Sequence, residues 1–408
     1  MKSYYSCDIV LFGGDIAGLW LLHRLRQTGY NAVLLEASKL GSEQTFRSQG
    51  IIHGGLKYSL SGSLSNAENN IARMPERWRA CFRGQGEIDL SDSLISSARY
   101  YMWSNSGVRA KLKAYLGSKS LAGRISIVEK SNYPKLFNGS AISGTLYQLP
   151  DFTIDTESVV RLLSSQMQEY IYSIENSSTH FELNKKGEID NLIIDHDNSP
   201  SDQVTLKIKA QRFIFAAGLG NEKLISSARL RKPVAQRRPL QMVYLSKPGL
   251  PDAYVHIIGN NPSLSPQLTI TTHVGADGEV VWYLGGEVAE NGVKKTPEIL
   301  IDETRALLKK LVPWINFNGA SWNTILVDRA EGKIINNKRP DGAICIPDGN
   351  CIVVWPTKLT LAPALSDIVI KELNSQGISP MKHSYANEVD LAEFLTSPSL
   401  AVPEWKAY

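Results

Sequence analysis

The chain has 408 residues, 43% of them hydrophobic, with 44 basic and 40 acidic side chains. This composition excludes an intrinsically disordered protein and is sufficient for two packed domains. The net charge of +4 is far below that of dedicated nucleic-acid-binding proteins, so no nucleic-acid partner is expected. Four cysteines are too few for a disulfide framework, and no pair of Cys or His has metal-ligand spacing. The sequence therefore predicts no metal and a reducing compartment, the cytoplasm.

The first residues predict a β-α-β unit. The apolar strand Asp8–Phe12 precedes the glycine loop Gly13–Gly18, and a helix-periodic segment leads to a second strand that ends at Glu36. In a G-x-G-x-x-G loop, the first glycine makes a tight turn and the third allows close helix–strand packing. Gly13 and Gly18 fill these positions, and Glu36 is placed to accept hydrogen bonds from ribose hydroxyls. This pattern favours a dinucleotide-binding fold.

Asp15 departs from the motif, because it stands where the middle glycine lets the backbone approach a pyrophosphate. A carboxylate at a helix N-terminus stabilises the helix by about 0.3–1 kcal/mol. Against a pyrophosphate, two like charges ~4 Å apart at an effective dielectric near 20 repel by about 4 kcal/mol. Three outcomes are open. The side chain turns away and the loop works through Gly14 and the helix amides, the cofactor affinity is reduced, or the site is inactive.

The remaining elements follow in an informative order. A helical, polar pattern runs from about Ala67 to Leu121, and alternating strands then lead to the apolar run Arg212–Gly218, which is typical of a strand buried on both faces. Four segments between residues 240 and 288 predict an antiparallel sheet, and a helix covers Thr296–Val312. A strand and a helix near residues 351–376 complete the pattern.

This order predicts an α/β fold with an α+β insert. We expect a discontinuous, doubly wound nucleotide-binding domain made of residues 1–80, 151–235 and 325–375. An antiparallel-sheet substrate domain is inserted as residues 81–150 and 236–324, and residues 376–408 form an irregular C-terminal extension.

Two further segments carry polar groups that suit a ligand. The loop Thr45–Leu60 has hydroxyls, a glutamine and glycines that could wrap a phosphate or a planar ring, with His53 beside two glycines. A lone histidine is, however, more often structural. In Val353–Asp367 a strand ends, a tight turn follows, and a helix begins with Lys358 nearby, which is an arrangement that binds anions. A solvated turn with a surface lysine is the alternative.

Together these segments resemble the flavoprotein family built on the D-amino-acid oxidase fold, most of all its glycerol-3-phosphate dehydrogenase and L-2-hydroxyglutarate dehydrogenase branches. The resemblance runs from Asp8 to Leu373. Residues 51–58 are similar to the family's His-Gly-Gly-Leu-Arg-Tyr segment, and residues 213–224 to its Ala-Ala-Gly strand. Residues 338–354 are similar to its Arg-Pro-Asp-Gly segment, and residues 357–360 to its Gly-Lys-Leu-Thr turn. The four segments occur in the family's order. The resemblance implies a Rossmann-like FAD-binding domain with an inserted substrate domain, as in the related glutathione-reductase-like folds.

The resemblance implies FAD as the cofactor and assigns roles along it. The pyrophosphate would be held by Gly13, Gly14 and Gly18, with Asp15 in the same loop, and the ribose by Glu36. The middle of FAD would be held by Thr45, Ser48, Gln49 and Gly50, and its flank by Ala217 and Gly218. The pyrimidine end would be covered by Thr357, Lys358, Leu359 and Thr360. Reduction places negative charge at the pyrimidine end, where Lys358 and helix amides would stabilise it.

The function implied is oxidation of a CH–OH or CH–NH bond of a small, carboxylate-bearing molecule by hydride transfer to flavin, with oxygen or a quinone as electron acceptor. His53 would orient the substrate or act as general base, beside Lys358. Arg329 and Arg339 precede the closing strand and would hold the carboxylate in bidentate fashion. The phosphate-handling residues of the glycerol-3-phosphate enzymes are not all recognisable, so that substrate is not carried over.

Two other functions stay open. The basic segment Arg229–Leu240 would suit a flavoenzyme of the same fold that acts on a modified tRNA base. Asp15 would suit a catalytically silent relative kept as a binding or scaffolding protein. The segment Val108–Arg124 is basic and amphipathic enough for peripheral membrane contact, although a plain surface helix is favoured.

Overall fold

The computed structural model describes residues 2–55, 66–104, 125–138, 143–197, 203–259, 266–333, 342–381 and 387–407. The strands are β1 Lys2–Phe12, β2 Ala32–Glu36, β3 Ile51–Ile52, β4 Ile95–Ser97, β5 Tyr100–Ser104, β6 Ser126–Ile127, β7 Thr145–Leu149, β8 Phe152–Ile154, β9 Ile171–Ser173, β10 Thr179–Leu183, β11 Ile189–Asp197, β12 Gln203–Phe215, β13 Ala235–Ser246, β14 Val255–Ile258, β15 Pro266–Val274, β16 Val280–Gly285, β17 Ser321–Gly332, β18 Ile344–Asp348 and β19 Cys351–Trp355. The α-helices are α1 Ile16–Gln27, α2 Asn66–Phe82, α3 Thr156–Gln166, α4 Asn221–Ser227, α5 Glu287–Gly292, α6 Pro297–Leu311 and α7 Ala362–Ser375.

The first sheet has the strand order β10-β11-β12-β1-β2-β9, with β19 added beside β12 and β18 beside β19. Its central pairs β1–β2, β1–β12, β2–β9 and β12–β19 are parallel. These strands are apolar and buried on both faces, as the run Arg212–Gly218 predicted for β12. Because they are parallel, Phe12, Phe215 and Trp355 end at the same edge of the sheet.

Helix α1 follows β1 directly and packs on α3 and α7. Leu19, Trp20 and Leu22 are fully buried on this helix, and the ring of Trp20 contacts that of Trp78 from α2 at 4.5 Å between centroids. Burying one such aromatic side chain stabilises the fold by roughly 1.5–3 kcal/mol. The packing fixes the N-terminus of α1 at the sheet edge where the parallel strands end.

The second sheet has the order β17-β13-β16-β15-β14-β5-β7-β6. It is antiparallel as predicted, except that β14 and β5 are parallel. Leu300 and Leu308 of α6 pack on it, in the helix predicted at Thr296–Val312. β13 and β17 form a long ladder from Ala235–Gly332 to Ser246–Ser321, which carries the end of β17 toward β19. The division of the chain into domains stays a prediction.

The prediction of a helical pattern from Ala67 to Leu121 is only partly right. Helix α2 is present, but the described residues after it include β4 and β5. The run Tyr100–Ser104 is aromatic and buried on both faces, so its side chains pack better on a pleated surface than on one helix stripe. The segment Val108–Arg124 lies outside the described residues.

The C-terminal residues 387–407 are irregular, as predicted, and pack against the first sheet's loops. Leu40 N donates to Ser399 O at 2.9 Å, and Ala401 N donates to Leu40 O at 3.0 Å. Trp405 packs against Tyr283, with 5.1 Å between ring centroids. This segment therefore links the loop after β2 to the second sheet.

The four cysteines are free. In the hairpin of β18 and β19, Cys345 lies opposite Val354 and Cys351 lies opposite Asp348, so these two cysteines do not face each other. Across the described residues, none of the helices has the length and apolarity needed to cross a membrane.

Candidate active site

Two cavities meet where the parallel strands of the first sheet end. The larger, about 260 Å³, lies between the ends of β12 and β19 and the ladder of β13 and β17. The smaller, about 220 Å³, lies beside the glycine loop and Glu36. Asp15 and Ala216 line both cavities, so the two form one elongated site. In open α/β sheets, ligands bind in this crevice at the carboxyl ends of the strands.

Most of the predicted site residues lie on this elongated site. Those that line the larger cavity are Asp15, Thr45, Ser48, Gln49, Gly50, His53, Gly218, Arg329, Thr357, Lys358 and Leu359. Those that line the smaller cavity are Gly13, Gly14, Asp15, Glu36 and Ala217. Gly18 and Thr360 line neither of these two cavities, and Arg339 lies outside the described residues.

The glycine loop leaves no room for side chains. Gly13 has φ +111°, and a Cβ there would lie 2.6 Å from Ala216 O. A Cβ on Gly14 would lie 2.4 Å from the side chain of Leu40. The loop therefore packs closely on Ala216 and Leu40 and places the start of α1 at the junction of the cavities, the position at which such loops bind a pyrophosphate.

Asp15 is the N-cap residue of α1, but its carboxylate makes no capping hydrogen bond to the helix. Asp15 Oδ2 accepts a hydrogen bond from Gln44 N at 3.2 Å, and Thr45 Oγ1 accepts one from Ile16 N at 3.1 Å. The side chain is thus turned toward the loop after β2, while a neighbouring hydroxyl caps the helix. Burial, together with the nearby charges of Glu36 and Glu43, raises the pKa of Asp15 to about 7.

Glu36 ends β2 at the smaller cavity, as the motif predicts. Its carboxylate accepts hydrogen bonds from Gly14 N and from Ser38 N, the latter at 2.7 Å. Burial raises the pKa of Glu36 above its ordinary value. These two amides fix the carboxylate between the glycine loop and the cavity.

His53 is held by a buried carboxylate that the sequence did not indicate. His53 Nδ1 lies 3.1 Å from Asp151 Oδ2, and Gly54 N donates to Asp151 Oδ1 at 2.9 Å. Asp151 is 2% exposed. Burial raises its pKa, but the hydrogen bond and charge of His53, the charge of His256 and the Gly54 amide together hold the pKa of Asp151 below its usual range. Asp151 is therefore ionised, and His53 Nδ1 donates to it.

The charge of Asp151 leads to a prediction for acid stability. Its folded pKa is lowered, so the stability it contributes is present above its ordinary pKa and is lost as the pH falls through the folded value. We expect Asp151→Asn to lose about 1.5–3 kcal/mol at neutral pH and to flatten the loss of stability in acid. Urea unfolding at several pH values measures both, and an unchanged acid profile would contradict the role of this carboxylate.

His256 of β14 joins this pair. The rings of His53 and His256 are stacked at 5.9 Å, and His256 Nδ1 lies 2.9 Å from Thr269 Oγ1. One possible metal-ligand atom from each of His53, Asp151 and His256 lies within 4.8 Å of the other two. Among the residues that the structure describes, this cluster could hold a divalent cation. The expectation that the chain holds no metal stays a prediction.

Two predicted cofactor residues use their side chains elsewhere. Gln49 Nε2 donates to Tyr283 O at 2.9 Å and to Thr269 O and Thr271 Oγ1 at 3.3 Å, which ties the loop to the second sheet. Thr360 is fully buried, and its Oγ1 accepts from His53 N at 2.9 Å. These bonds position the loop and His53, and the contacts of Gln49 and Thr360 with FAD stay predictions.

The turn after β19 contains a strained residue. Thr357 has φ +61°, a left-handed conformation that is costly for a β-branched side chain, and its Oγ1 donates to Gly342 O at 3.1 Å. Lys358 follows it on the wall of the larger cavity. Such strain often accompanies functional sites, and here it turns the backbone toward the cavity before α7.

The far wall of the larger cavity combines one guanidinium with apolar side chains. Arg329 of β17 lines it, and Arg329 Nε donates to Arg238 O at 3.3 Å. Leu240, Met242 and Val327 form the wall beside it. This wall suits a small molecule with an acidic group and a short apolar body.

Arg47 also lines the larger cavity, and the sequence had not indicated it. Its Nη2 lies 3.3 Å from Glu404 Oε1 in the C-terminal segment, and its carbonyl accepts from the hydroxyl of Tyr283 at 2.9 Å. Asp151, His256 and Arg47 stand outside recognisable motifs. Arg47 nevertheless lies within the loop Thr45–Leu60 that the sequence had singled out, whereas Asp151 and His256 lie outside the segments described as ligand-binding.

The basic segment Arg229–Leu240 is partly neutralised. Arg237 pairs with Glu222 at 2.6 Å, and Arg238 makes a bidentate pair with the buried Glu331 at 2.7 and 2.8 Å. The amides of Arg231 and Lys232 donate to Asp348. This pairing weakens the electrostatic argument for RNA, which depends on cations that can release counterions.

The two cavities, the glycine loop and the first sheet define a dinucleotide-binding α/β protein. The model of the FAD-dependent oxidoreductase family matches residues 8–343. A probable FAD-dependent oxidoreductase of Pseudomonas aeruginosa is 39% identical over 407 residues, which is 100% of this chain and 99% of the relative. A crystal structure of an FAD-dependent oxidoreductase from the same organism has a TM-score of 0.83 at 36% identity and covers 99% of each chain.

More distant structures share the fold. An L-α-glycerophosphate oxidase from Mycoplasma pneumoniae with FAD bound has a TM-score of 0.61 at 17% identity, covering 93% of this chain and 97% of the other. An iminodiacetate oxidase from Chelativorans sp. has a TM-score of 0.63 at 15% identity, covering 96% and 99%. The chain belongs to the FAD-dependent oxidoreductase family of the D-amino-acid oxidase fold. It is an enzyme, and its cofactor is FAD.

Proposed function

We propose that the chain oxidises a CH–OH or CH–NH bond of a small, carboxylate-bearing molecule. The observation that supports this most is the His53–Asp151 pair at a cavity that Arg329 and Lys358 also line. FAD, when bound, supplies the hydride acceptor. The residues of the chain supply a base, an anion-binding group and an enclosed wall.

His53 is the proposed base. An ionised carboxylate only accepts hydrogen bonds, so whenever His53 acts as a base its remaining proton lies on Nδ1, toward Asp151. The lone pair is then on Nε2, the nitrogen that can take the proton of a substrate O–H or N–H group. Two further hydrogen bonds hold His53 and Asp151 in place. His53 N donates to Thr360 Oγ1, and Gly54 N donates to Asp151 Oδ1.

Arg329 is the proposed carboxylate-binding residue, since a guanidinium matches the two oxygens of a carboxylate. Its bond to Arg238 O sets the orientation of the guanidinium. Leu240 and Met242 would contact the apolar body of the substrate, and Lys358 with the turn from Thr357 would hold the pyrimidine end of FAD.

The carboxylate-bearing substrate class agrees with the names of two structural neighbours and differs from that of a third. Iminodiacetate oxidase and a glycine oxidase from Geobacillus kaustophilus are named for amino or imino acids, whereas L-α-glycerophosphate oxidase is named for an alcohol phosphate. Because these neighbours are distant, both bond types belong to the proposal. Oxygen or a quinone is the proposed electron acceptor, and the four free cysteines are in keeping with a cytoplasmic location.

The test is anaerobic bleaching of the flavin band of the FAD-loaded protein. The probes are amino acids, N-substituted glycines, 2-hydroxy acids and, as a comparison, glycerol 3-phosphate. The proposal expects bleaching by one of the carboxylate-bearing classes. Bleaching by glycerol 3-phosphate alone, or by none of the four classes, would overturn it.

Arg329→Leu gives a more specific prediction. The substitution removes a charged hydrogen-bonding partner of the substrate, which costs about 1.5–3 kcal/mol of binding free energy. It should therefore raise KM for the carboxylate substrate roughly 10- to 100-fold, with a smaller change in kcat. Arg237→Leu is the matched control, because Arg237 is exposed and paired with Glu222 away from the cavity. Equal effects of the two substitutions would argue against Arg329 as the binding group.

A further inference from the structure

We propose that Asp15 binds the FAD pyrophosphate as a neutral carboxylic acid, so that FAD binding takes up one proton from solvent. This inference depends on the cofactor and not on the substrate. It gives a function to the residue that departs from the family's glycine loop.

Asp15 lies at the junction of the two cavities. Asp15 and Ala216 are the residues that the two cavities share, and a dinucleotide that spans both cavities must pass them. Gln44, whose amide donates to Asp15 Oδ2, also lines the larger cavity. A pyrophosphate at the junction of the two cavities would therefore lie beside Asp15.

The charges that act on Asp15 are negative. Its Oδ2 accepts from Gln44 N, and the nearest charges that act on it are both acidic, Glu36 at the end of β2 and Glu43 in the following loop. The cationic or titratable groups that line the two cavities from other elements are Arg47, His53, His180, Lys223, Arg329 and Lys358. A pyrophosphate would add negative charge to an acidic neighbourhood.

The energetic comparison decides the protonation state. An ionised Asp15 about 4 Å from a phosphate charge would be repelled by about 4 kcal/mol at an effective dielectric near 20. A protonated Asp15 has one O–H that can donate to a phosphate oxygen and one oxygen that can keep the Gln44 N bond. Burial already raises the pKa of Asp15 to about 7, so protonation at neutral pH costs little.

The sign of the pH dependence follows from linkage. FAD raises the pKa of Asp15 further, so FAD affinity is greatest below about pH 7 and falls as the pH rises above the value of the free protein. The dissociation constant should rise by up to roughly tenfold per pH unit in this range, the limit for one proton.

The test measures release of FAD from the holoprotein by the increase in FAD fluorescence between pH 6 and pH 9. For the natural chain we expect an affinity loss with the slope of one proton, and Asp15→Asn, which keeps an acceptor for Gln44 N, should be nearly flat. Titration calorimetry in two buffers of different ionisation enthalpy should show proton uptake in the natural chain and none in Asp15→Asn.

Glu43→Gln is the matched control, because it removes a charge near Asp15 from the wall of the smaller cavity. It should keep the pH dependence and move its onset to lower pH. If Asp15→Asn keeps the full slope, another carboxylate, foremost Glu36, is the source and the proposal is wrong. If the natural chain has no pH dependence, the proposal is also wrong. Neither result bears on the proposed substrate oxidation.

Discussion

Replacing His53 with glutamine should leave FAD bound and slow reduction of the flavin by substrate about 10²- to 10⁴-fold, the usual contribution of a general base. Glutamine has a similar length but no group that accepts a full proton near neutral pH. The backbone bond from residue 53 to Thr360 Oγ1 does not depend on the side chain, so the loop should persist. Single-turnover stopped-flow at the flavin band, with a substrate found in the anaerobic panel, measures the effect.

His180→Gln is the control for His53→Gln. His180 lies on β10 with its side chain 60% exposed and its Nδ1 3.7 Å from Asp195 Oδ2, and it lines the smaller cavity and not the larger one that His53 lines, so the control is made on FAD-loaded protein. Its replacement should leave the rate of flavin reduction unchanged. A His53→Gln protein with the natural rate would show that another group takes the substrate proton.

The glycine loop, Glu36 and the turn Thr357–Thr360 could be predicted because each belongs to a short, contiguous motif. Their backbone geometry is local, and the parallel sheet brings the ends of β1, β2, β12 and β19 together. The family resemblance rests on the order of such motifs. The sequence could therefore indicate the cofactor, FAD, and name residues most of which the structure brings together at one elongated site.

Asp151 and His256 could not be predicted in the same way. Asp151 is 98 positions from His53 and reaches it because β8 pairs with β3, while His256 comes from the second sheet. No spacing rule covers a contact between different sheets. This is also why the absence of metal-ligand spacing said nothing about the cluster that these three residues form.

Side-chain direction was a second limit. Gln49 lies in the predicted loop, but its amide is turned to the carbonyls of Thr269 and Tyr283, since a buried amide is stabilised where several acceptors converge. Tyr100–Ser104 was included in a helical region because the polar segments around it dominated the pattern. Both differences are caused by tertiary contacts that local periodicity does not contain.

Gly18→Ala should be the most destabilising change in the glycine loop. A Cβ at Gly18 would lie 1.8 Å from Gly13 O, far inside contact distance, although the helical backbone itself would accept alanine. Helix α1 cannot move away easily, because Leu19 and Trp20 are fully buried against the core. We expect a loss of at least about 3 kcal/mol in the free energy of unfolding.

Gly187→Ala separates this steric effect from backbone strain. Gly187 has φ +79°, and a Cβ at this position would have nothing within 4 Å, so alanine there should cost only the left-handed backbone, about 1–2 kcal/mol. Urea unfolding of both variants without FAD gives the comparison. A Gly18→Ala protein no less stable than Gly187→Ala would show that α1 and the loop can separate without loss of packing.

The same substitution at Gly18 should also remove FAD. To relieve the clash, Gly13 O must move, and Gly13 is itself confined, since a Cβ on it would lie 2.6 Å from both Ala216 O and Ala217 Cα. Ala216 lines both cavities, so a shift of the loop changes their junction, where the pyrophosphate would lie. FAD content should therefore fall further in Gly18→Ala than the loss of folded protein explains, whereas Gly187→Ala should retain FAD in proportion to its folded fraction.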